Sequence, residues 1–252
     1  MWKYANPTLF MGLAGRLLPW LAGVTVLLFA AGLYGAAVAP DDYQQGATVK
    51  IMYIHVPCAW LAMAGWGAMS LSALGVLVWR HPLAEVAMKA AMPIGAAFTL
   101  LCLVTGSLWG QPMWGTWWVW DARLTSVLVL FLMYLALMAL WHSIEDPSKA
   151  ARISAVLVLV GAVNIPIIKF SVDWWNTLHQ GASVFRIGGS TIYSWMMLWP
   201  LLDMALAFTL LFVTLHLMAM RNEILRRRIR TMRLMAAAGV TPAMTASVPA
   251  EA

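Results

Sequence analysis

Charged residues are scarce in this chain. Asp, Glu, Lys and Arg make up 10% of its 252 residues, against roughly 25% in soluble domains, which excludes an ordinary water-soluble globule. Only two cysteines are present, Cys58 and Cys102. They form neither a CxxC nor a CxxCH spacing, so a thiol-redox pair and covalent c-type haem attachment are both excluded, and each reads as a small buried hydrophobe. No Gly-rich nucleotide-binding loop occurs, so any dependence on ATP belongs to a partner. A nucleophile–base constellation is also missing, which argues against an enzyme. So is any clear internal repeat.

What is abundant is apolar. Hydrophobic residues make up 62% of the chain, and its mean hydropathy is +0.78. A membrane-spanning helix needs about 20 such residues, and the pattern supplies about six stretches: near Leu17–Ala39, Val56–Trp79, Ala90–Leu108, Thr125–Trp141, Ile153–Phe170 and Ile192–Met220. The expected fold is all-α, a polytopic integral membrane helical bundle of about six transmembrane helices. Residues 1–235 form its single domain, and the Ala/Thr/Pro-rich residues 236–252 a disordered tail. Ala37-Val38-Ala39 has the look of a signal cleavage site, but its apolar region is long and Pro40 falls at the cut, so the first helix reads as retained. Pro93 and Pro166 predict kinks inside spans.

Cations are distributed unequally. Lys3, Arg16, Arg80, Lys89, Lys149, Arg152 and the tail arginines from Arg221 to Arg233 lie at one set of helix ends; Lys50, Arg123, Lys169 and Arg186 lie at the other. The positive-inside rule then makes both termini cytoplasmic. It also accounts for the net charge of +6 without a nucleic-acid partner. The stretch RNEILRRRIRTMRLM after the last span reads as a basic amphipathic anchor on anionic lipid.

On the outward side, residues Trp109–Leu124 gather five of the 15 tryptophans. If the run after Gly115 is helical, Trp114, Trp117, Trp118 and Asp121 share one face, which with Trp120 would suit a large planar apolar ligand with a polar edge. His55, just above the second span, and His179, in the connection after Trp174-Trp175, flank this segment on the same side. His81, His142 and His216 fall near the opposite helix ends, where a solvated role is the default. Two outward imidazoles beside an aromatic platform form a sensible haem site, one axial ligand from each face. Arg123, Arg186 and Lys50 are then the outward cations for its propionates, and Asp121 either accepts from an indole N–H or fixes Arg123. Tryptophans at a membrane boundary also form aromatic belts. On the residues alone, belt and platform stand about level.

Three segments carry a resemblance. Trp114-Gly-Thr-Trp-Trp-Val-Trp-Asp-Ala-Arg-Leu-Thr-Ser126 closely resembles the WWD signature of haem-handling membrane proteins of bacterial cytochrome c maturation. Tyr53-Ile-His55-Val-Pro57 and Thr177-Leu-His179-Gln-Gly181 resemble that family's two histidine regions. The likeness extends from about the first span to the last, and the chain's size fits the CcmC-type branch better than the larger haem–apocytochrome ligases. The resemblance implies non-covalent haem b in transit at the periplasmic face of the inner membrane. It implies His55 and His179 as axial ligands of the haem iron, and Trp114, Trp117, Trp118, Trp120 and Asp121 as the platform. It further implies delivery to the periplasmic chaperone CcmE, an ABC-type complex of CcmA with CcmB, and association with the small membrane protein CcmD. A shallow, loop-built, outward-open site would suit a carrier that must release its cargo. Two other classes remain to be distinguished: a cytochrome b-type electron-transfer subunit, with ligands inside facing spans, and a permease or scaffold subunit of an ABC transporter. Asp203, inside the last span, should face a polar cavity or the bundle interior, with Asn164 and Lys169 as candidate partners.

Overall fold

The computed structural model describes residues 6–181, 184, 189–192 and 194–238. Among these there is no strand, only an isolated bridge between Asp42 and Gly46. The helices are α1 (Pro7–Val38), α2 (Met52–Trp79), α3 (Pro82–Trp114), α4 (Ala122–Ser143), α5 (Pro147–Gly161), α6 (Asn164–Trp174) and α7 (Trp195–Ala237). Six segments are long and apolar enough to cross a membrane, with α5 and α6 together forming one. This is an all-α, multi-pass membrane protein.

Local chemistry sets the helix ends. Asn6 caps α1 by accepting from the Thr8 N–H at 2.8 Å, and Pro7 occupies the first turn, where a missing N–H costs nothing. Between α2 and α3 only Arg80 and His81 intervene. Arg80 takes a left-handed φ of 48°, and the Arg80 and His81 N–H groups return to the Val76 and Gly75 carbonyls at 3.1 Å each. Pro166 is responsible for the α5–α6 break. It has no N–H to give the Ala162 carbonyl, and its ring would collide with that carbonyl in a continued helix. The carbonyl accepts instead from the Ile165 N–H at 3.1 Å. By contrast, α3 continues through Pro93.

Small residues let the helices approach closely. Tyr134 of α4 lies over Gly65 and Gly95, where a Cβ would strike its ring or hydroxyl. Its Oη donates to the Ala62 carbonyl at 2.9 Å. Trp66 packs edge-on against Tyr134, with centroids 4.9 Å apart, and donates from Nε1 to the Val158 carbonyl at 3.0 Å. On the other side, Gly32 and Gly35 of α1 receive Asp203, Met204, Trp199 and Pro200 of α7. Asp203 therefore faces the α1 backbone. Asn164, expected as its partner, instead donates to the Ser126 carbonyl at 2.9 Å, and the Lys169 side chain is exposed.

The basic stretch after the last expected span belongs to the same helix as that span. α7 is one unbroken helix of 43 residues, about 64 Å long at 1.5 Å per residue, so it overshoots a hydrocarbon core of about 30 Å. Its far half is held to the start of α3. Glu223 accepts from Lys89 at 2.8 Å and Arg227 at 3.1 Å, and Arg227 reaches Glu85 at 3.2 Å. This continuity also places His216 in mid-helix, packed 5.7 Å from the Phe212 ring, and not near a helix end as expected. The helix continues through Ala237, and residues 239–252 of the expected tail lie outside the described residues.

Candidate functional site

The start of α2, the end of α3, the segment before α4 and the loop after α6 meet at one end of the bundle. His55 is deeper than expected. A 3₁₀ turn, Ala47–Ile51, runs straight into α2, because Val49, Met52 and Tyr53 are buried and pull this lead-in down into the bundle. His55 therefore occupies the first turn of α2, not the connection above it, and is only 8% exposed. Its Nδ1 lies 3.0 Å from Thr105 Oγ1 of α3. The neighbouring Gly106 leaves room for the ring, since a Cβ there would come within 3.0 Å of His55 Cε1. Trp109, one turn further along α3, meets the imidazole edge-on at 5.7 Å and 84°. Its indole N–H donates to Gln45 Oε1 at 2.8 Å, and the Gln45 N–H is held by Asp42 Oδ1 at 2.9 Å.

His179 comes from the loop that follows α6. Its backbone N–H donates to Thr177 Oγ1 at 3.0 Å, and its Nδ1–H donates to the Gln180 carbonyl at 2.9 Å. Burial pushes the imidazole below its ordinary value of 6.5; the Gln180 carbonyl opposes this, the Arg123 guanidinium adds to it, and Asp121 opposes it. The ring centroids of His55 and His179 are 6.4 Å apart, with planes inclined by 35°. Trp114 closes the group, 6.3 Å from His179 and tilted by 57°. Its ring folds back over Gly110, where a Cβ would come within 2.8 Å of the indole.

The tryptophan segment is not one helical face. Gly115 adopts a left-handed φ of 73° and ends α3, its N–H returning to the Gln111 carbonyl. Thr116 bonds to the backbone of Trp118 through Oγ1. Residues 115–121 are thus extended or turned, and the shared face expected for Trp114, Trp117, Trp118 and Asp121 does not form. The structure separates these side chains. Trp114 lies beside His179, and Trp118 meets Trp120 edge-on at 5.5 Å. Trp117 and Trp120 are 58% and 75% exposed.

Asp121 has a different task from either one expected. Its Oδ1 caps α4 by accepting from the Leu124 N–H at 2.8 Å. Arg123 donates from Nε to Ser171 Oγ at 2.7 Å and from Nη2 to the Lys169 carbonyl at 3.3 Å. Lys50 pairs with Asp41 at 3.6 Å and donates to the Ala37 carbonyl at 3.2 Å. Arg186 lies outside the described residues. Two polar atoms here, Trp118 Nε1 and Asp121 Oδ2, are buried with no hydrogen-bond partner. Cys58 and Cys102 are free and buried.

Sequence reasoning missed Thr105, Gly106 and Gln45. Thr105 and Trp109 are four residues apart on α3, and a Thr-Gly pair followed by an indole is a legible polar interruption of an apolar span. Nothing in the sequence, however, says that it faces His55.

Paired imidazoles bordered by indoles thus lie at one end of the helical bundle of a multi-pass membrane protein. Comparison with known proteins sharpens that class. A sequence model of the CcmC family, described as Heme exporter protein C, matches residues 1–235. The chain is 72% identical over 233 residues to Heme exporter protein C of Bradyrhizobium diazoefficiens, covering 92% of this chain and 88% of that one. It is 46% identical over 230 residues to the proteins of the same name from Paracoccus denitrificans and Escherichia coli K12, covering 91% and 89% of this chain and 95% and 92% of theirs. The chain belongs to the CcmC family.

Proposed function

We propose that this protein binds haem b non-covalently between His55 and His179 at the periplasmic face of the bacterial inner membrane. It then passes the haem to the chaperone CcmE for cytochrome c maturation. The observation that carries this reading is the imidazole pair. Two imidazoles bonded to one metal from opposite sides, at roughly 2 Å per bond as in other metal–imidazole sites, hold their ring centroids roughly 6 Å apart, and the observed separation is 6.4 Å. Each Nδ1 has a hydrogen-bond partner within the protein, so Nε2 is the nitrogen of each ring that would bind the metal.

Among the described residues no group of three or more His, Cys, Asp or Glu gathers to cage a bare ion. The two-imidazole donor set instead fits a metal whose other ligands come from a macrocycle. Trp109 and Trp114 border the imidazoles as apolar walls. Of the expected propionate partners, Arg123 and Lys50 lie among the described residues at this end. The name Heme exporter protein C, carried by relatives that match most of this chain, supports the same cargo.

The cation asymmetry supports cytoplasmic termini and a periplasmic site. The protein acts by positioning haem and has no catalytic constellation of its own. Its expected partners are CcmE, the CcmA–CcmB transporter and CcmD, with membrane lipid around the bundle and no nucleic acid.

The test is spectroscopic. Protein purified in detergent from haem-replete cells should show a Soret band that is lost or shifted in both His55→Ala and His179→Ala, and added haem-free CcmE should draw the haem away. Unchanged spectra in correctly folded variants would overturn the ligand assignment. Haem retained through redox turnover and never transferred would favour a cytochrome b-type electron carrier, a reading that His55's place inside α2 keeps in view.

A further inference from the structure

We propose that Thr105 is a positioning residue for His55: it holds the imidazole in the Nδ1–H tautomer and so presents the Nε2 lone pair to the haem iron. This rests on the haem-ligation reading above, but the argument for the tautomer is independent of it. A threonine hydroxyl has one proton and two lone pairs. Thr105 Oγ1 lies 2.6 Å from the Leu101 carbonyl oxygen and 3.3 Å from that of Cys102. Both carbonyls only accept, so they take the single hydroxyl proton. Toward His55 Nδ1, at 3.0 Å, the hydroxyl has only lone pairs left, so the hydrogen in that bond must sit on Nδ1. The opposite tautomer would set two lone pairs against each other. It would also put a hydrogen on Nε2, where the metal must bind.

His179 reaches the same state by another route. Its Nδ1 meets the Gln180 carbonyl at 2.9 Å, an acceptor that no side-chain substitution removes. The two imidazoles therefore share one tautomer, and only at His55 does a side chain, Thr105, help to set it beside the backbone carbonyl of Cys102. Gly106 completes the cradle: a Cβ there would come within 3.0 Å of His55 Cε1, so the Thr-Gly pair sets both the protonation pattern and the position of the ring. Hydrogen bonds of this kind orient a metal-binding histidine and raise its basicity, and losing one typically costs about 10–100-fold in metal affinity.

The experiment has a haem-free part and a haem-loaded part. In haem-free, ¹⁵N-histidine-labelled full-length protein in detergent, long-range ¹H–¹⁵N correlations distinguish the tautomers, with the His55 signals identified by their loss in His55→Ala. His55 should be Nδ1–H in the parent and in Thr105→Ser, and should shift toward Nε2–H in Thr105→Val. An Nε2–H parent, or a Thr105→Val spectrum identical to the parent's, overturns the proposal. If Thr105→Val fails to fold, the parent and Thr105→Ser spectra still decide it.

In the haem-loaded part, Thr105→Val should bind haem about 10–100-fold more weakly, with a shifted Soret band and a raised reduction potential, and Thr105→Ser should keep all three at the parental values. If His55→Ala keeps the parental haem spectrum while the tautomer result stands, it is the ligation reading that has failed. If the tautomer shifts in Thr105→Val but affinity and potential do not, Thr105 is structural and the positioning role is lost.

Discussion

At His179 the position of a proton carries a consequence for pH. Burial holds its imidazole below the ordinary value of 6.5, so the neutral form, the only one with a lone pair for a metal, persists as pH falls through that value. Haem binding by the purified protein should therefore remain level through pH 6.5 and weaken only further down, where His179 finally protonates. A pH titration of the Soret band checks this, and a midpoint at or above 6.5 would contradict it. Asp121 is a second case. As the cap of α4, its replacement by Ala should lower stability by about 1 kcal/mol, whereas Asn, also a good cap, should be nearly neutral. If Asp121→Asn loses haem at unchanged melting temperature, the carboxylate charge contributes to the site beyond the cap. The tryptophan and histidine types were legible from the chain alone. The deeper seat of His55 was not, because it depends on Val49, Met52 and Tyr53 finding burial against other helices.

At the scale of elements, spacing predicts helices well and their ends less well. Six spans were readable, yet α3 runs six residues past its expected end at Leu108, through Pro112 to Trp114, and stops only where Gly115 supplies a left-handed φ. A helical reading across Gly115 was possible in sequence, because Gly tolerates either conformation. Pro166 was expected to kink its span and in fact divides it into α5 and α6. Element packing also carries a direct test at two glycines. Gly95→Ala would drive a Cβ into Tyr134 and should destabilise by about 1–3 kcal/mol. Gly12→Ala, in α1 with nothing within 4 Å, should be neutral or stabilising by up to about 1 kcal/mol. Thermal unfolding of the two variants in detergent should move in opposite directions, or only the first should move; equal losses would mean that helix–helix approach is not what Gly95 provides.

For the whole molecule the open quantity is orientation. Because both native cysteines are buried, introduced ones should report cleanly. In spheroplasts, a membrane-impermeant maleimide should label Tyr43→Cys, at a residue 91% exposed on the histidine end, without lysis. Lys149→Cys, at the opposite end, should label only after the membrane is broken. The reverse pattern would place the site in the cytoplasm and end the periplasmic reading. The same whole-molecule view explains the basic end of α7. The run of arginines reads as a lipid anchor in the sequence, and within it Arg227 also joins Glu85, Lys89 and Glu223 in an ion network that ties α7 to α3.

By itself, the amino-acid sequence determined the membrane class, the number of spans, the end of the bundle that carries the histidines and the resemblance to a haem-handling family. All of these follow from composition, run length and local motifs, which need no knowledge of neighbours. Only the tertiary structure decided that His55 is buried in a helix, that Thr105 and Gly106 cradle it, that Asp121 is a cap and that Asp203 faces the backbone of α1. Each of these depends on which helix lies against which, because a hydrogen-bond partner or a glycine gap on another helix leaves no local trace in the chain.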